Sequence, residues 1–121
     1  MSTPSTIHEL LQVGDDDSIS ISGLDRPDLI YSELRDLAAR TAETLNALGI
    51  GRNDRVAIVL PNGPEMATSF VTIAACATTA PLNPAYTQDE YEFYLSDLNA
   101  RALLVEKNSD SPAVRAAQAK N

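Results

Sequence analysis

The spacing of apolar and polar residues changes period several times along this chain, and each change marks a new element. Ser18-Ile19-Ser20-Ile21-Ser22 alternates polar and apolar with period two, the pattern of a half-buried strand. Residues Gly23 to Pro27 read as a turn, and Leu29-Ile30-Tyr31 as a second short strand, so the pair predicts a β-hairpin. From Ser32 onward the spacing becomes three and four. Leu34, Leu37, Ala38, Thr41, Leu45 and Leu48 then share one face of a helix. Ser32 suits the N-cap, Glu33 complements the dipole in the first turn, and Gly49 supplies a left-handed stop.

Arg55 to Leu60 is a continuous, β-branched apolar run, the mark of a strand buried on both faces. Pro61-Asn62-Gly63-Pro64 punctuates the chain, and Pro64 is preorganised for a first helical turn. The helix expected over about 64–79 is apolar nearly all round, through Met66, Phe70, Val71, Ile73, Ala74 and Ala77. Its small residues would let it press close to a sheet. Ala80-Pro81-Leu82-Asn83-Pro84 predicts a very short strand that leaves into a loop. Thr87-Gln88-Asp89-Glu90 is a capping box, opening a helix with Tyr91, Tyr94, Leu95 and Leu98 on its inner face. Arg101 to Glu106 reads as another buried strand, and Ser111-Pro112 starts a last helix. Before all of these, residues 1–17 form an N-terminal segment. It holds a short amphipathic stretch (Ile7, Leu10, Leu11) and an acidic turn, Gly14-Asp15-Asp16-Asp17. Strands alternating with helices over 18–121 imply an α/β fold: a mostly parallel sheet with flanking helices, preceded by the β-hairpin.

Composition narrows the picture. With 121 residues there is room for one modest domain, and with 44% hydrophobic but 5% aromatic residues its core is aliphatic. A net charge of -8 and a pI near 4.4 exclude a phosphate-seeking surface, so neither nucleic acid nor an anionic membrane is an expected partner. One cysteine, Cys76, leaves no internal disulfide and favours a reducing, cytoplasmic setting. The first residues show no basic region followed by a long apolar core, the form of a secretory signal. The uncharged stretch from Met66 to Leu82 is broken by threonines and Pro81 and reads as a buried helix.

Most candidate chemistry has a structural explanation. Gly49-Ile50-Gly51 follows a helix and precedes a strand, the reverse of a dinucleotide-binding loop. His8 is the single histidine and has no partners for a triad or a zinc site, and Cys76 fits a buried helix face. The three adjacent aspartates lack calcium-loop spacing, and Glu90, Glu92 and Asp97 fall on a solvated helix face. Tyr91 and Tyr94 are core residues in this reading, without the basic groove that base stacking needs. What remains are the loops at the carboxyl ends of the strands, where open parallel sheets bind ligands. They nominate Asn62 and Gly63, beside a helix N-terminus able to favour an anion, and Asn83 and Tyr86 as pocket-lining residues. An ordinary tight turn is the competing account of each.

Four stretches carry a resemblance. They are Leu29-Ile30-Tyr31-Ser32-Glu33-Leu34, Asp54 to Glu65 (Asp-Arg-Val-Ala-Ile-Val-Leu-Pro-Asn-Gly-Pro-Glu), Ala80 to Thr87 (Ala-Pro-Leu-Asn-Pro-Ala-Tyr-Thr) and Glu90 to Asp97 (Glu-Tyr-Glu-Phe-Tyr-Leu-Ser-Asp). In this order they resemble the N-terminal region of the adenylate-forming acyl-CoA ligases, a superfamily that includes luciferases and peptide-synthetase adenylation domains. The first looks like that family's L-T-Y-x-E-L element, with Ile30 in place of threonine, and the third like its P-L-N-P-x-Y element. Within the superfamily, Ala80 to Thr87 followed by Phe93 to Leu98 looks most like the oxalate–CoA ligases of fungi and plants.

The resemblance implies a partial N-terminal AMP-binding domain, truncated before the phosphate-binding loop. It also implies a two-step reaction. ATP and a small carboxylic acid give an acyl-adenylate and pyrophosphate, and the thiol of coenzyme A then displaces AMP. The phosphate loop, Mg²⁺, an aspartate for the ribose and a lysine reaching the carboxylate lie downstream in the family, and none has a match here. Accordingly no catalytic, cofactor-binding or metal-binding residue is assigned. ATP, Mg²⁺ and CoA belong to the full-length enzyme, the partner is the C-terminal part of the same chain, and the segment alone is expected to be inactive. A peroxisomal address would sit at the true C-terminus. The alternative is a non-catalytic, stand-alone scaffold or interaction module that reuses the fold.

Overall fold

The computed structural model describes residues 3–120. In order, the elements are α1 (Ile7–Leu10), β1 (Ile19–Ile21), β2 (Leu29–Ile30), α2 (Tyr31–Ala47), β3 (Arg55–Ile58), α3 (Pro64–Ala74), β4 (Thr78–Pro81), α4 (Gln88–Asp97), β5 (Ala102–Leu104) and α5 (Pro112–Ala119). Strands β1 and β2 pair antiparallel as the expected hairpin, with Ile19 opposite Ile30. The other three form a parallel sheet in the order β4-β3-β5, with Val56 opposite both Thr79 and Ala102.

Central strand β3 is apolar without alternation because both of its faces are covered. Val56, Ala57 and Ile58 are 2%, 0% and 0% exposed. Val56 and Ile58, with Leu60 beyond the strand end, pack on one side with Leu45 from α2 and Ile73 from α3. Ala57 and Val59 pack on the other with Tyr91 and Leu95 from α4 and Ala113 and Ala116 from α5. The small residues of α5 let its backbone lie close to the sheet. A third cluster joins Leu11, just after α1, to Leu34 and Ala38 of α2. Arg35 fastens the same region: its guanidinium donates to the carbonyls of Leu11 and Gly14 at 3.0 and 2.9 Å and pairs with Asp16. Gly14 is needed there, since a Cβ would lie 2.5 Å from the Tyr31 ring. Among the described residues no helix is long and apolar enough to cross a membrane.

Several boundaries differ from the sequence expectation. Helix α2 begins at Tyr31, because the Glu33 carboxylate accepts from the Ile30 backbone N–H at 3.1 Å. Ile30 therefore holds the cap position and Ser32 lies inside the first turn. Leu48 falls at the C-cap, past the apolar stripe, and is 65% exposed. Helix α3 stops at Ala74 instead of 79: the Thr78 N–H donates to Asp54 O at 2.9 Å, so parallel pairing with β3 takes over two residues before Ala80. The capping box at Thr87 forms, with Glu90 N–H on Thr87 Oγ1 at 3.2 Å and Thr87 N–H on the Glu90 carboxylate at 3.1 Å.

The stop after α2 depends on Gly49, whose φ of +79° is a left-handed conformation. Gly51, two residues on, has open space where a Cβ would stand. Gly49→Ala is expected to lower stability by about 1 kcal/mol, while Gly51→Ala changes it by less than about 0.5 kcal/mol. Urea midpoints of the two variants check the difference.

Candidate functional site

The parallel strands all deliver their carboxyl ends to one edge of the sheet. At that edge an open cleft of about 610 Å³ lies between the ends of β3 and β5, the start of α3, and the hairpin connection. Leu60, Pro61, Asn62 and Gly63 form one wall, Leu104 to Lys107 the other, and Arg26 and Glu65 the rim. Arg26 reaches Glu65 in a two-point contact, 2.7 Å from Nε and 3.3 Å from one terminal nitrogen. Hydrogen bonding to Arg26 holds the Glu65 carboxyl below its ordinary range. The pair is exposed, so it positions the hairpin more than it stabilises the fold.

Of the residues nominated from sequence, Asn62 and Gly63 line this cleft together. Asn83 and Tyr86 do not line it; they organise the connection between β4 and α4. The Asn83 side chain accepts from the Ala85 N–H at 2.9 Å, and its carbonyl accepts from the Tyr91 hydroxyl at 2.6 Å. Tyr86 stacks on Tyr94 with ring centroids 5.0 Å apart and meets Tyr91 edge-on at 5.6 Å. Burial pushes the Tyr91 phenol above its usual range. Sequence reasoning missed Arg26, Glu65, Glu106 and Lys107. The last two follow a strand's carboxyl end and were open to the same rule that selected Asn62. Arg26 arrives from a turn 39 residues before Glu65, and no local spacing signals that.

The cleft has two cationic and two anionic side chains, Arg26 and Lys107 against Glu65 and Glu106. The start of α3 fits an anion poorly. Its first helical residue is Pro64, which has no N–H. Glu65 then adds a carboxylate to the same turn. Among the described residues no group of three His, Cys, Asp or Glu side chains is arranged to hold a metal. These residues do not fit a triphosphate, Mg²⁺ or coenzyme A, and no step through those groups is placed on them. Cys76 lies apart, past the end of α3, with Sγ against the carbonyls of Thr72 and Ile73 at 3.8 and 3.5 Å. Burial pushes its thiol upward.

A parallel sheet wound between helices, with a cleft beyond its carboxyl edge, defines an α/β domain whose candidate site lies where open sheets place their ligands. The chain belongs to the AMP-binding enzyme family, which it matches over residues 14–121. It is 43% identical over 102 residues to an oxalate–CoA ligase of Arabidopsis thaliana, covering 83% of this chain and 20% of that protein. It is 40% identical over 93 residues to a probable CoA ligase of Humulus lupulus, covering 76% of this chain and 18% of that protein. The inhibitor-bound N-terminal domain of FACL13 from Mycobacterium tuberculosis superposes with a TM-score of 0.74 at 27% identity, over 94% of this chain and 29% of that one. A benzoate CoA ligase from Burkholderia xenovorans shares the fold, with a TM-score of 0.77 at 20% identity over 93% of this chain and 23% of that one. The chain thus spans about a fifth of the length of the curated relatives.

Two measurements test the local chemistry. Tyr91→Phe leaves the ring packing intact and removes the bond to Asn83, so it should cost about 1 kcal/mol in thermal or urea unfolding. The folded pKa of the Cys76 thiol lies above its unfolded value. Its stabilising contribution is therefore complete below the unfolded thiol's pKa and is lost as pH rises through the folded one. Iodoacetamide should alkylate the folded protein more slowly than the urea-unfolded chain at pH 8, and Cys76→Ser should remove part of the alkaline loss of stability.

Proposed function

We propose that the chain builds the opening layers of the N-terminal domain of an ATP-dependent carboxylate–CoA ligase whose acid is oxalate. The observation that carries this is the 43% identity over 102 residues with an oxalate–CoA ligase. The segment's part in the reaction is mechanical. It supplies a sheet whose carboxyl edge is rigid, because β3 is buried on both faces and the β4–α4 loop is pinned by Asn83 and Tyr91. Activation of the acid by ATP and transfer to CoA are carried by residues outside it. Electrostatics supports that division. The net charge is -8, and the two cations of the cleft, Arg26 and Lys107, are offset by Glu65 and Glu106, so this segment offers no excess positive charge to oxalate or nucleotide.

The test is acid-dependent ATP–pyrophosphate exchange and CoA thioester formation by the complete gene product, with oxalate, malonate, benzoate and a long-chain fatty acid compared. Oxalate should win in kcat/KM by at least about tenfold, a difference of about 1.4 kcal/mol. Preference for a fatty or aromatic acid removes oxalate and keeps the ligase. No exchange with any acid removes the ligase. The isolated 121-residue chain should be silent with all four, and exchange by that chain would show that its own residues carry the chemistry.

A further inference from the structure

The β3–α3 connection, Pro61-Asn62-Gly63-Pro64, contains the single Asn-Gly pair of the sequence. Asparagine is a thermolabile residue, because its side-chain amide is open to attack by the backbone nitrogen that follows it. The next residue decides how easily that attack occurs. Asn46 and Asn99 precede alanines, Asn53 an aspartate and Asn108 a serine, and in each case a Cβ crowds the attacking nitrogen. Asn83 precedes Pro84, which has no N–H to give up. Gly63 has no Cβ, so its nitrogen is uncovered and its backbone turns freely.

The fold leaves this pair unrestrained. The pairing of β3 finishes with the Leu82 N–H on Ile58 O and the Val59 N–H on Leu104 O, both at 2.9 Å. Beyond Leu60 the chain leaves the sheet, and Pro61 and Pro64 bring no N–H with which to tie the loop. Asn62 and Gly63 are both exposed. Among the described residues no hydrogen bond holds the Asn62 side chain or the Gly63 N–H, and only the Gly63 carbonyl is engaged, accepting from the Ala67 N–H at 3.1 Å. Asn83 contrasts with this, since its side-chain oxygen accepts from the Ala85 N–H at 2.9 Å.

We propose that Asn62-Gly63 is a self-modifying site, at which the chain converts the Asn62 amide into a carboxylate on the cleft wall by way of a succinimide. The Gly63 nitrogen gives up its proton and bonds to Asn62 Cγ. The bond from Cγ to the side-chain nitrogen breaks, and that nitrogen leaves as ammonia with the proton. Water then opens the ring at one of its two carbonyls. Opening at Cγ gives aspartate. Opening at the backbone carbonyl carbon gives isoaspartate, in which the main chain runs through Cβ and Cγ. In sum, amide and water become acid and ammonia, with no oxidant or reductant.

Either product changes the cleft. Its wall now sets Arg26 and Lys107 against Glu65 and Glu106. A carboxylate at position 62 tips that balance to three anions against two cations, and isoaspartate also lengthens the main chain just before α3 by one carbon.

The test incubates the complete gene product in neutral buffer and follows each asparagine by peptide mapping, with an isoaspartyl methyltransferase as the probe for the rearranged backbone. Asn62 should convert at least about tenfold faster than Asn46, Asn53, Asn99 or Asn108 of the same molecules. Its rate in the folded protein should lie within about tenfold of that in the urea-unfolded chain, as for a loop that needs no opening. Asn62→Gln, whose longer side chain closes a ring less readily, should abolish the acidic form seen on isoelectric focusing. A folded rate more than about a hundredfold below the unfolded one overturns the proposal, because the loop then protects the amide. Conversion to aspartate without isoaspartate overturns the ring route, and an Asn62 no faster than the other asparagines overturns the site. The peptide maps compare positions within the unaltered protein, so these outcomes stand even where the variant fails to fold.

Discussion

Strand β3 has no solvent side, and the rest of the chain is arranged to keep it so. Its side chains alternate between two cores, so Val56 and Ile58 require α2 and α3 on one face while Ala57 and Val59 require α4 and α5 on the other. Fully burying one such side chain is favourable by roughly 1.5–3 kcal/mol, and a short run of them outweighs most local preferences nearby. Helix α3 illustrates the result. Residues 75–77 could prolong a helix on composition alone, yet the chain leaves it so that Thr78 to Pro81 can lie alongside β3. Pairing with a buried strand prevails over helix propensity.

That same strand decides where a ligand can approach. Because β3 is central and parallel to both neighbours, the three carboxyl ends meet at one edge. The loops there are held by unlike means. The β4–α4 connection is fixed by Asn83, which uses side chain and backbone at once, and by the Tyr86, Tyr91 and Tyr94 rings. Beside the β3–α3 connection, the exposed Arg26–Glu65 pair links the hairpin to the start of α3. One side of the edge is thus fixed by hydrogen bonds and stacked rings, and the other keeps an open cleft whose wall charges balance.

Much of the architecture was legible in the sequence because its signals are local and strong. The apolar run from Arg55 to Leu60, the Thr87–Glu90 capping box, Gly49 as a helix stop and Ser111-Pro112 as a helix start each have one physical reading, and each appears in the structure, the strand itself ending at Ile58. The misplaced boundaries have a common cause. Ile30 rather than Ser32 caps α2 because a carboxylate three residues on reaches back. Residue type at the cap position alone does not reveal such a reach. At the candidate site, Asn62 was accessible from strand polarity, but the assignment of Asn83 to a loop lock required knowing that Tyr91 lies beneath it. Arg26 was invisible for a different reason: its partner is far along the chain, and contacts between exposed side chains at such separation leave no periodic trace.

The unequal edges of the sheet connect packing with function. A segment made to end its sheet at β5 would be expected to carry charge, proline or a bulge there, as β4 carries Pro81. Instead the outermost strand is aliphatic, and both adjoining helical layers stop short of covering it. The chain as a whole is acidic, with 17 Asp and Glu against 9 Lys and Arg. Repulsion between acidic chains opposes indiscriminate pairing of copies through that edge.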